Sequence, residues 1–292
     1  MCLAQLVSTG PIVMALWFAA MLDAITSPLD LQDQVLGPVE VEVTLDRVAF
    51  YVEVTGDDPT RWTDEAPPGF ASVLLFAVAD LFLYHPKVIP FTATLLHLDQ
   101  TFEYLGPLRA DSSVVMEGTI TKVRERAGSY FVTFDATGTQ GGADVVRSIS
   151  TFVLSDRAAP RSETVRDEPP ARARGANETQ QRSASRHDLI RYAAATRDFN
   201  PLHWDHDVAV DAGLSGTVAH GLLMYAWVTQ EASSAARGAT IARSKVRFRS
   251  ALHPGEQAVI KVTVDGGTAK IQLTRDGDPL VTGTATFAPA PE

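Results

Sequence analysis

The sequence has a single cysteine, Cys2, and this scarcity excludes an internal disulfide and any metal site built from cysteines. It also lacks a surplus of basic residues, since 25 Lys and Arg stand against 35 Asp and Glu, a formal net charge of −10 at pH 7. Proteins that bind nucleic acid need a basic surface, so we expect no nucleic-acid partner. An acidic chain with 45% hydrophobic and 21% charged residues is typical of a globular enzyme of the cytoplasm.

Charged side chains are absent from the first 22 residues. The apolar run 12–22 is shorter than the roughly twenty residues that a membrane span needs. No basic segment precedes it, as a secretory signal would require. We therefore expect residues 1–37 to be an extension outside the first domain, either an apolar helix docked on the surface or residues from an over-long start assignment. A signal or membrane role is the less favoured alternative.

From Gly37 onward, apolar and polar residues alternate with the periods of strands and helices. The first domain is predicted at 38–155. Thr44 is a candidate N-cap for a helix at 45–54, and the apolar stretch 70–84 predicts a long central helix. The predicted strands of this domain are 39–43, 95–104, 113–123, 129–138 and 144–154.

Residues 156–182 are rich in Pro, Arg, Glu and Ala without apolar periodicity, which predicts a linker. The second domain, 183–292, repeats the order of the first, so the sequence indicates an internal duplication of α+β class. Ser185 is a candidate N-cap for a helix at 186–195, and a long helix is predicted at 222–236. The predicted strands are 181–184, 241–250, 257–264, 268–274 and 280–287, with hairpin turns at Gly266-Gly267 and Asp276-Gly277.

One stretch of the second domain combines residues suited to proton chemistry. Asp198 and His203 lie five positions apart across Pro201, which fixes a bend that can aim both side chains at one point. A carboxylate beside an imidazole is a simple pair for general acid–base catalysis. The unpaired N–H groups near Gly221, at the start of the predicted helix, can hold a developing oxyanion. These groups together indicate proton transfer next to a carbonyl.

The string Asp-Phe-Asn-Pro-Leu-His at 198–203, followed by His-Gly-Leu-Leu at 220–223, resembles a family motif. The family is that of the MaoC-like (R)-specific enoyl-CoA hydratases and 3-hydroxyacyl dehydratases. The resemblance implies a double hotdog fold, in which two curved antiparallel sheets each wrap around a long central helix. It also implies a hydro-lyase that interconverts (3R)-3-hydroxyacyl and trans-2-enoyl thioesters of coenzyme A or of acyl carrier protein, without a cofactor.

In this interpretation Asp198 and His203 are the catalytic dyad, and the N–H of Gly221 binds the enolate-like oxygen. Asn200 and Pro201 hold the loop, and a structural role for His220 is at least as well supported as a chemical one. A basic row on the strand 241–250 would bind the phosphates of coenzyme A or steer a carrier protein, and its alternative is a solvated sheet edge. The candidate substrate-binding residues are Asn200, His220, Tyr225, Lys245, Arg247 and Arg249, although Tyr225 is favoured as core or pocket wall.

The first domain keeps part of the motif, since Asp57 matches Asp198 and Pro59 matches Pro201. Arg61 replaces the histidine, so this domain resembles the degenerate N-terminal half of two-hotdog members. The resemblance therefore implies one working site per chain, in the second domain. Loss of the second site would leave room for a longer acyl chain between the domains.

Three alternatives stay open. A metal bound by His203, Asp205, His206 and His220 is disfavoured because no HExxH or CxxC pattern is present, so we expect no metal. A hotdog acyl-CoA thioesterase would keep the fold and change the reaction. A non-catalytic subunit that binds the acyl chain for a partner would not need Asp198 and His203, so the presence of both residues argues against it. The resemblance allows a monomeric pseudo-dimer or a homodimer.

Overall fold

The computed structural model describes residues 27–158 and 180–289. The predictions for residues 1–26 and for 159–179 of the linker lie outside these ranges. We call 27–158 the first half and 180–289 the second half. The helices are α1 (Leu45–Thr55), α2 (Ala71–Leu83), α3 (Arg186–Thr196), α4 (His206–Asp211) and α5 (Gly221–Ala235). The strands are β1 (Val35–Val43), β2 (Thr94–Tyr104), β3 (Ser112–Arg126), β4 (Ser129–Gln140), β5 (Ala143–Ser155), β6 (Gln180–Arg182), β7 (Ile241–Phe248), β8 (Ala258–Asp265), β9 (Thr268–Arg275) and β10 (Asp278–Phe287).

The strands of both halves form one antiparallel sheet in the order β1-β3-β4-β5-β2-β7-β10-β9-β8-β6. Read outward from the centre, each half has the same strand order, with β2 equivalent to β7 and β1 to β6. The two halves therefore repeat one topology about the β2–β7 pair. This repetition confirms the internal duplication that the sequence indicates.

Each half packs its part of the sheet on one apolar helix. Helix α2 lies against β1, β3, β4 and β5, and α5 lies against β7, β8, β9 and β10. Both helices are buried over most of their length, because apolar residues occupy nearly every side of them. Asp80 is the single ionisable residue of α2. Helices α1 and α3 pack on each other across the two halves.

The predicted helices and strands of the described ranges are confirmed, with ends that differ by a few residues. Thr44 and Ser185 cap their helices as predicted, since each hydroxyl accepts a hydrogen bond from the third backbone N–H. One correction concerns β1, which begins at Val35, inside the segment expected to be an extension. The Gly37-Pro38 pair interrupts its pairing with β3 as an irregularity between Leu36 and Val39.

No helix in the described ranges is long and apolar enough to cross a membrane.

Candidate active site

The loop that follows α3 is shaped by local capping. Helix α3 starts with a capping box between Ser185 and Asp188, and Arg197 ends it in a left-handed conformation with φ 67°. The chain then turns back, and Asn200 caps a short 3-10 helix at Pro201–His203 by accepting from the N–H of Leu202 at 3.2 Å. Pro201 suits the first position of this turn because its missing N–H would have no partner there. These contacts fix the positions from which Asp198 and His203 project.

Asp198 and His203 face each other across a short gap. The Oδ2 of Asp198 lies 3.9 Å from the Nε2 of His203, and both side chains are 12% exposed. The Nδ1 of His203 lies 2.8 Å from the carbonyl oxygen of Val218, so this nitrogen carries the proton and donates. Its Nε2 then presents a lone pair to a carboxylate oxygen. One molecule with two O–H groups, such as water, can donate a hydrogen bond to each of these two acceptors, which are 3.9 Å apart.

The protonation of Asp198 is governed by burial. Burial raises the pKa of the Asp198 carboxyl, while nearby His203 and the N–H of Asn200 act to lower it. That N–H lies 3.4 Å from Oδ1. The carboxyl group is therefore closer to taking up a proton near neutral pH than an exposed aspartate would be. A group in this state can exchange protons with a substrate.

His220 packs against His203 and is fully buried. Its ring stacks on that of His203, with centroids 3.7 Å apart and 26° between the planes, and the ring of Tyr192 lies 4.9 Å away. Its Nε2 donates to the carbonyl oxygen of Asp198 at 3.1 Å. Burial, and then the charge of His203, hold the pKa of His220 well below its usual range, so the ring is neutral. This position corrects the substrate-binding assignment of His220, because the ring has no exposed surface to offer a substrate.

Gly221 is the first residue of α5. Its backbone N–H makes no hydrogen bond to any described residue. A Cβ atom at this position would lie 3.2 Å from the Phe248 ring, which explains why the helix starts with glycine. The N–H next to His220 is thus available to an oxygen atom of a bound molecule, at the positive end of a long helix.

Both halves of the chain match family profiles. Residues 167–282 match the family profile described as a MaoC like domain, and residues 34–148 match the FAS1-like dehydratase domain region. The chain carries a MaoC-like dehydratase domain. A relative from Arabidopsis thaliana, the mitochondrial 3-hydroxyacyl-[acyl-carrier-protein] dehydratase, is 32% identical over 73 residues, which are 25% of this chain and 44% of that protein.

Solved structures show the same fold at lower identity. HtdX of Mycobacterium tuberculosis has a TM-score of 0.69 and 22% identity, over 86% of this chain and 100% of that one. A second M. tuberculosis protein, described as a double hotdog fold, has a TM-score of 0.61 and 10% identity, over 90% and 98% of the two chains. The double hotdog prediction is confirmed. The two halves thus share this fold, and each matches a dehydratase-type family profile.

The basic row of the MaoC-like domain lies away from Gly221. Lys245 and Arg247 are exposed on one side of β7, whereas Phe248, which contacts Gly221, belongs to the other side. Arg247 pairs with Asp99 at 3.6 Å. Arg243 pairs with Glu103 at 3.0 Å, and Arg249 donates to Thr282 at 3.2 Å.

The interpretation of this row as a solvated sheet edge is therefore wrong, whereas binding of coenzyme A phosphates or steering of a carrier protein stays a prediction. Strand β7 is an interior strand between β2 and β10, so the row is no sheet edge. Its side chains point away from the dyad side of the sheet, which argues against a direct contact of Lys245 or Arg247 with a substrate there. The sequence could not reveal this, because the β2–β7 pairing joins residues far apart in the chain.

Tyr225 also needs correction as a substrate-binding residue. It is fully buried, and its hydroxyl lies 2.6 Å from that of Tyr104 and 2.5 Å from that of Ser244. Tyr104 donates in turn to the carbonyl oxygen of Pro68 at 2.9 Å. The hydroxyl of Tyr225 is thus engaged in a polar network that links the halves. This agrees with the preference for a core position.

Metal ligands are available at one place in the described ranges: Asp198, His203 and His220, whose ligand atoms lie within 4.8 Å of one another. The predicted metal alternative had included Asp205 and His206 instead of Asp198. Asp205 caps α4 through its side chain, with Oδ1 accepting from two backbone N–H groups. Zinc needs ligand atoms at about 2.0–2.2 Å, so the stacked rings of His203 and His220 would have to reorient to bind it.

The equivalent loop of the first half is closed by its own side chains. A 3-10 helix at Pro59–Arg61 stands where Pro201–His203 stands in the second half. Arg61 donates to Ser233 at 2.9 Å, and the Nε1 of Trp62 donates to Asp57 at 3.0 Å. The adjoining cavity is about 10 Å³, which is room for about one water molecule. The first half therefore keeps the loop without an acid–base pair.

Two contributors to the site were not predicted. The Val218 carbonyl sets the tautomer of His203, and Asp80 of the first half lies within electrostatic reach of Asp198. A carbonyl acceptor leaves no trace in the sequence. Asp80 did leave a signal, since one carboxyl group in an otherwise apolar helix is unusual.

Proposed function

We propose that this protein interconverts (3R)-3-hydroxyacyl thioesters and trans-2-enoyl thioesters by removing or adding water. The observation that carries the proposal is the facing pair Asp198–His203 beside the free N–H of Gly221. Acid, base and oxyanion donor are the three functions that this reaction needs. The match to dehydratase-type profiles over both halves supports the same reaction class.

In the hydration direction, the reacting water lies in the gap between Asp198 and His203. Oδ2 and Nε2 are both acceptors, so each accepts a hydrogen bond from one of the two O–H groups of the water. The water oxygen attacks C3 of the enoyl group while one proton passes to the dyad. The same proton is then delivered to C2, so the net change is one water added across the double bond. The roles of acid and base are shared between Asp198 and His203, since neighbouring groups of this kind act as one unit.

Charge develops on the thioester oxygen as C3 is attacked. The N–H of Gly221 donates to this oxygen, with the dipole of α5 behind it. Removing one such donor typically costs about 3–4 kcal/mol of barrier. The donor is preorganised, because His220 is held by its stack on His203 and by its bond to the Asp198 carbonyl.

Several finer points follow from the family and belong to the same proposal. The (R) stereochemistry and one site per chain are implied by the family motif, and a cytoplasmic location is suggested by the composition. The substrate is a thioester of coenzyme A or of acyl carrier protein. The reaction requires no prosthetic group, since the thioester itself activates C2 and C3. Assembly is either a monomeric pseudo-dimer or a homodimer.

The proposal is tested by following the enoyl thioester absorbance with crotonyl-CoA and a longer enoyl-CoA. The wild type, Asp198→Asn and His203→Ala are compared. Hydration by the wild type should fall about 100- to 10,000-fold in each variant, the range for loss of a general acid or base. Chiral analysis of the product should give the (3R) isomer. Circular dichroism checks that the variants are folded.

Other outcomes separate the alternatives. Release of free thiol with the double bond intact would indicate a thioesterase. Wild-type inactivity on both coenzyme A and carrier-protein thioesters would indicate a non-catalytic acyl-binding subunit. The facing side chains of Asp198 and His203 argue against this last alternative, which would not need them to meet.

A further inference from the structure

A cavity of about 450 Å³ lies between both halves of the chain, beside the loop that carries the dyad. A volume of this order is typical of pockets for small molecules. Arg197, which lines the cavity, directly precedes Asp198. The lining consists of residues 39–42 of β1, Arg47 of α1, Ala77 and Asp80 of α2, and Arg197. The cavity therefore extends from the dyad loop to the first turn of α1.

Two guanidinium groups, those of Arg47 and Arg197, line this cavity together. The ion pairs within the described ranges involve other arginines, such as Arg191 and Arg243. Arg47 donates to the backbone carbonyl of Glu42, which is a neutral partner. Burial, and then the charge of Arg197, lower the pKa of Arg47, so the two positive groups act on each other. Two like charges beside one cavity are a place where a bound anion is stabilised.

The carboxyl groups of the lining leave room for such an anion. Alternation along β1 places buried Val41 on the face toward α2 and exposed Glu40 and Glu42 on the opposite face of the sheet. Asp80 is the acidic residue on the α2 side. Burial, and then the charge of Asp198, raise the pKa of Asp80 to about 6, while Arg197 lowers it. Two guanidinium groups therefore stand against one carboxyl group on this side, which favours a negatively charged ligand.

The remaining wall of the cavity suits an amide-containing chain. Strand β1 is the last strand of the sheet, so one side of its backbone is available to hydrogen-bond other groups. We propose that this cavity binds the pantetheine arm of the thioester, with the 4′-phosphate of the arm held between Arg47 and Arg197. This inference rests on the proposed function. Coenzyme A and acyl carrier protein share this phosphorylated arm, and guanidinium groups bind phosphate through paired, charge-assisted hydrogen bonds.

The kinetic test compares wild type, Arg197→Gly and Arg47→Gln. The substrates are crotonyl-CoA, crotonyl-4′-phosphopantetheine and crotonyl-pantetheine, which lacks phosphate. Each variant should raise KM about tenfold more for the two phosphorylated substrates than for crotonyl-pantetheine, as expected for a lost hydrogen bond to a charged group. We expect little change in kcat, because the phosphate is bound alike in the ground state and the transition state. The excess in KM should shrink as the salt concentration rises.

The variants are chosen so that a loss of folding does not imitate the effect. Glycine fits the position of Arg197, since Gly56 ends α1 in the same left-handed conformation, with φ 66° against 67°. Arg47→Gln acts from another helix, so a disturbance of the dyad loop does not explain a loss shared by both variants. Arg237→Gly is the matched control, because Arg237 is exposed, has φ 57° and lies outside the cavity lining. It should keep the wild-type KM for every substrate.

A second measurement does not depend on hydration. Butyryl-CoA and butyryl-pantetheine have no double bond to hydrate, so their Kd values can be measured by calorimetry. Arg197→Gly and Arg47→Gln should weaken binding of butyryl-CoA about tenfold more than binding of butyryl-pantetheine. Equal weakening of both ligands would overturn the proposal. A loss specific to butyryl-CoA that occurs only in Arg247→Gln would also overturn it, because the phosphates would then bind at the basic row of β7.

The two proposals fail in different ways. If the wild type hydrates no thioester while the differences in Kd hold, the proposed function fails and the cavity still binds a phosphorylated arm. If the wild type is active and both arginine variants lose as much with crotonyl-pantetheine as with crotonyl-CoA, the function stands and the phosphate site is rejected. A loss seen with crotonyl-CoA but not with crotonyl-4′-phosphopantetheine would reject the 4′-phosphate as the bound group.

Discussion

At the scale of single residues, Gly221 is the position where one added methyl group is most informative. Its Cα side lies against the Phe248 ring, and a Cβ would approach three ring carbons at 3.2–3.3 Å. Alanine keeps the N–H donor, so any effect must come from displacement of the helix start. A misplacement of reacting groups by about 1 Å can cost about 100-fold in rate. In Gly221→Ala the new methyl group and the Phe248 ring have to separate by a few tenths of an ångström, so the effect on the rate should be smaller than that.

We predict that Gly221→Ala lowers kcat for crotonyl-CoA about tenfold with a smaller change in KM. Shortening the opposing side chain in Gly221→Ala/Phe248→Leu should restore part of kcat, since it makes room for the methyl group. Gly267→Ala is the control, because no atom lies within 4 Å of the Cβ it adds. An unchanged kcat in Gly221→Ala would contradict the prediction, because it would show that the Phe248 ring gives way without displacing the helix start.

The residues of the site divide into those that a local motif can predict and those that it cannot. Asp198 and His203 lie within one short loop, so Pro201 and the spacing suffice to expect them near each other, as they are. Phe248 reaches the site from a distant strand. Tyr225 was misassigned because a buried hydroxyl and a substrate-facing one look alike in sequence; the partner Tyr104 decides between them. The catalytic roles themselves stay predictions.

At the scale of elements, the two 3-10 helices show how one loop can serve two purposes. Thr55 and Thr196 each donate to a carbonyl one turn back at the end of the preceding helix, so the loops leave α1 and α3 alike. Beyond that point Asp57 is bound by Trp62, whereas Asp198 faces an open gap. The difference lies in side-chain partners and in the space they leave.

We predict that restoring the histidine in the first half does not restore a second site. In Asp198→Asn/Arg61→His, activity should remain at the level of Asp198→Asn, because Asp57 stays bound to Trp62 in a cavity of about 10 Å³. Arg61→His alone should keep wild-type kcat, since Arg61 lies outside the proposed site. The measurement is kcat for crotonyl-CoA in the four proteins. Recovered hydration in the double variant would show that the loss of the histidine alone made the first half inactive.

Elements were predictable where the chain carries a clear period. Strands β3, β4 and β5 alternate inward and outward residues, and their predicted ends are close to the observed ones. Helix α4 was missed, because its six residues are too few to establish a period. The pairing of β2 with β7 was missed for another reason: it is a tertiary contact between halves, and the local pattern of a strand does not name its neighbour.

At the scale of the whole molecule, the halves are joined by contacts of two kinds. Exposed ion pairs cross the outer face of the β2–β7 pair, Arg243 with Glu103 and Arg247 with Asp99. On the buried side, Tyr225 of α5 meets Tyr104 of β2 and Ser244 of β7. Solvent screens the first kind, whereas buried hydroxyl groups that lose a partner have no water to replace it. The buried network should therefore stabilise the junction more than the ion pairs do.

The last prediction separates these contributions and tests the corrected role of Tyr225. Tyr225→Phe should lower the free energy of unfolding by about 1–3 kcal/mol, because the hydroxyl of Ser244 is left buried with its partner removed. Arg247→Gln should lower it by less than about 1 kcal/mol, since the pair is half-exposed. Both values come from urea denaturation, with kcat for crotonyl-CoA measured on the same samples. If Tyr225 is structural, Tyr225→Phe keeps its kcat while it loses stability. The opposite pattern, a large loss of kcat at unchanged stability, would mean that the hydroxyl leaves Tyr104 to contact the substrate, and the site would then extend to the junction of the halves.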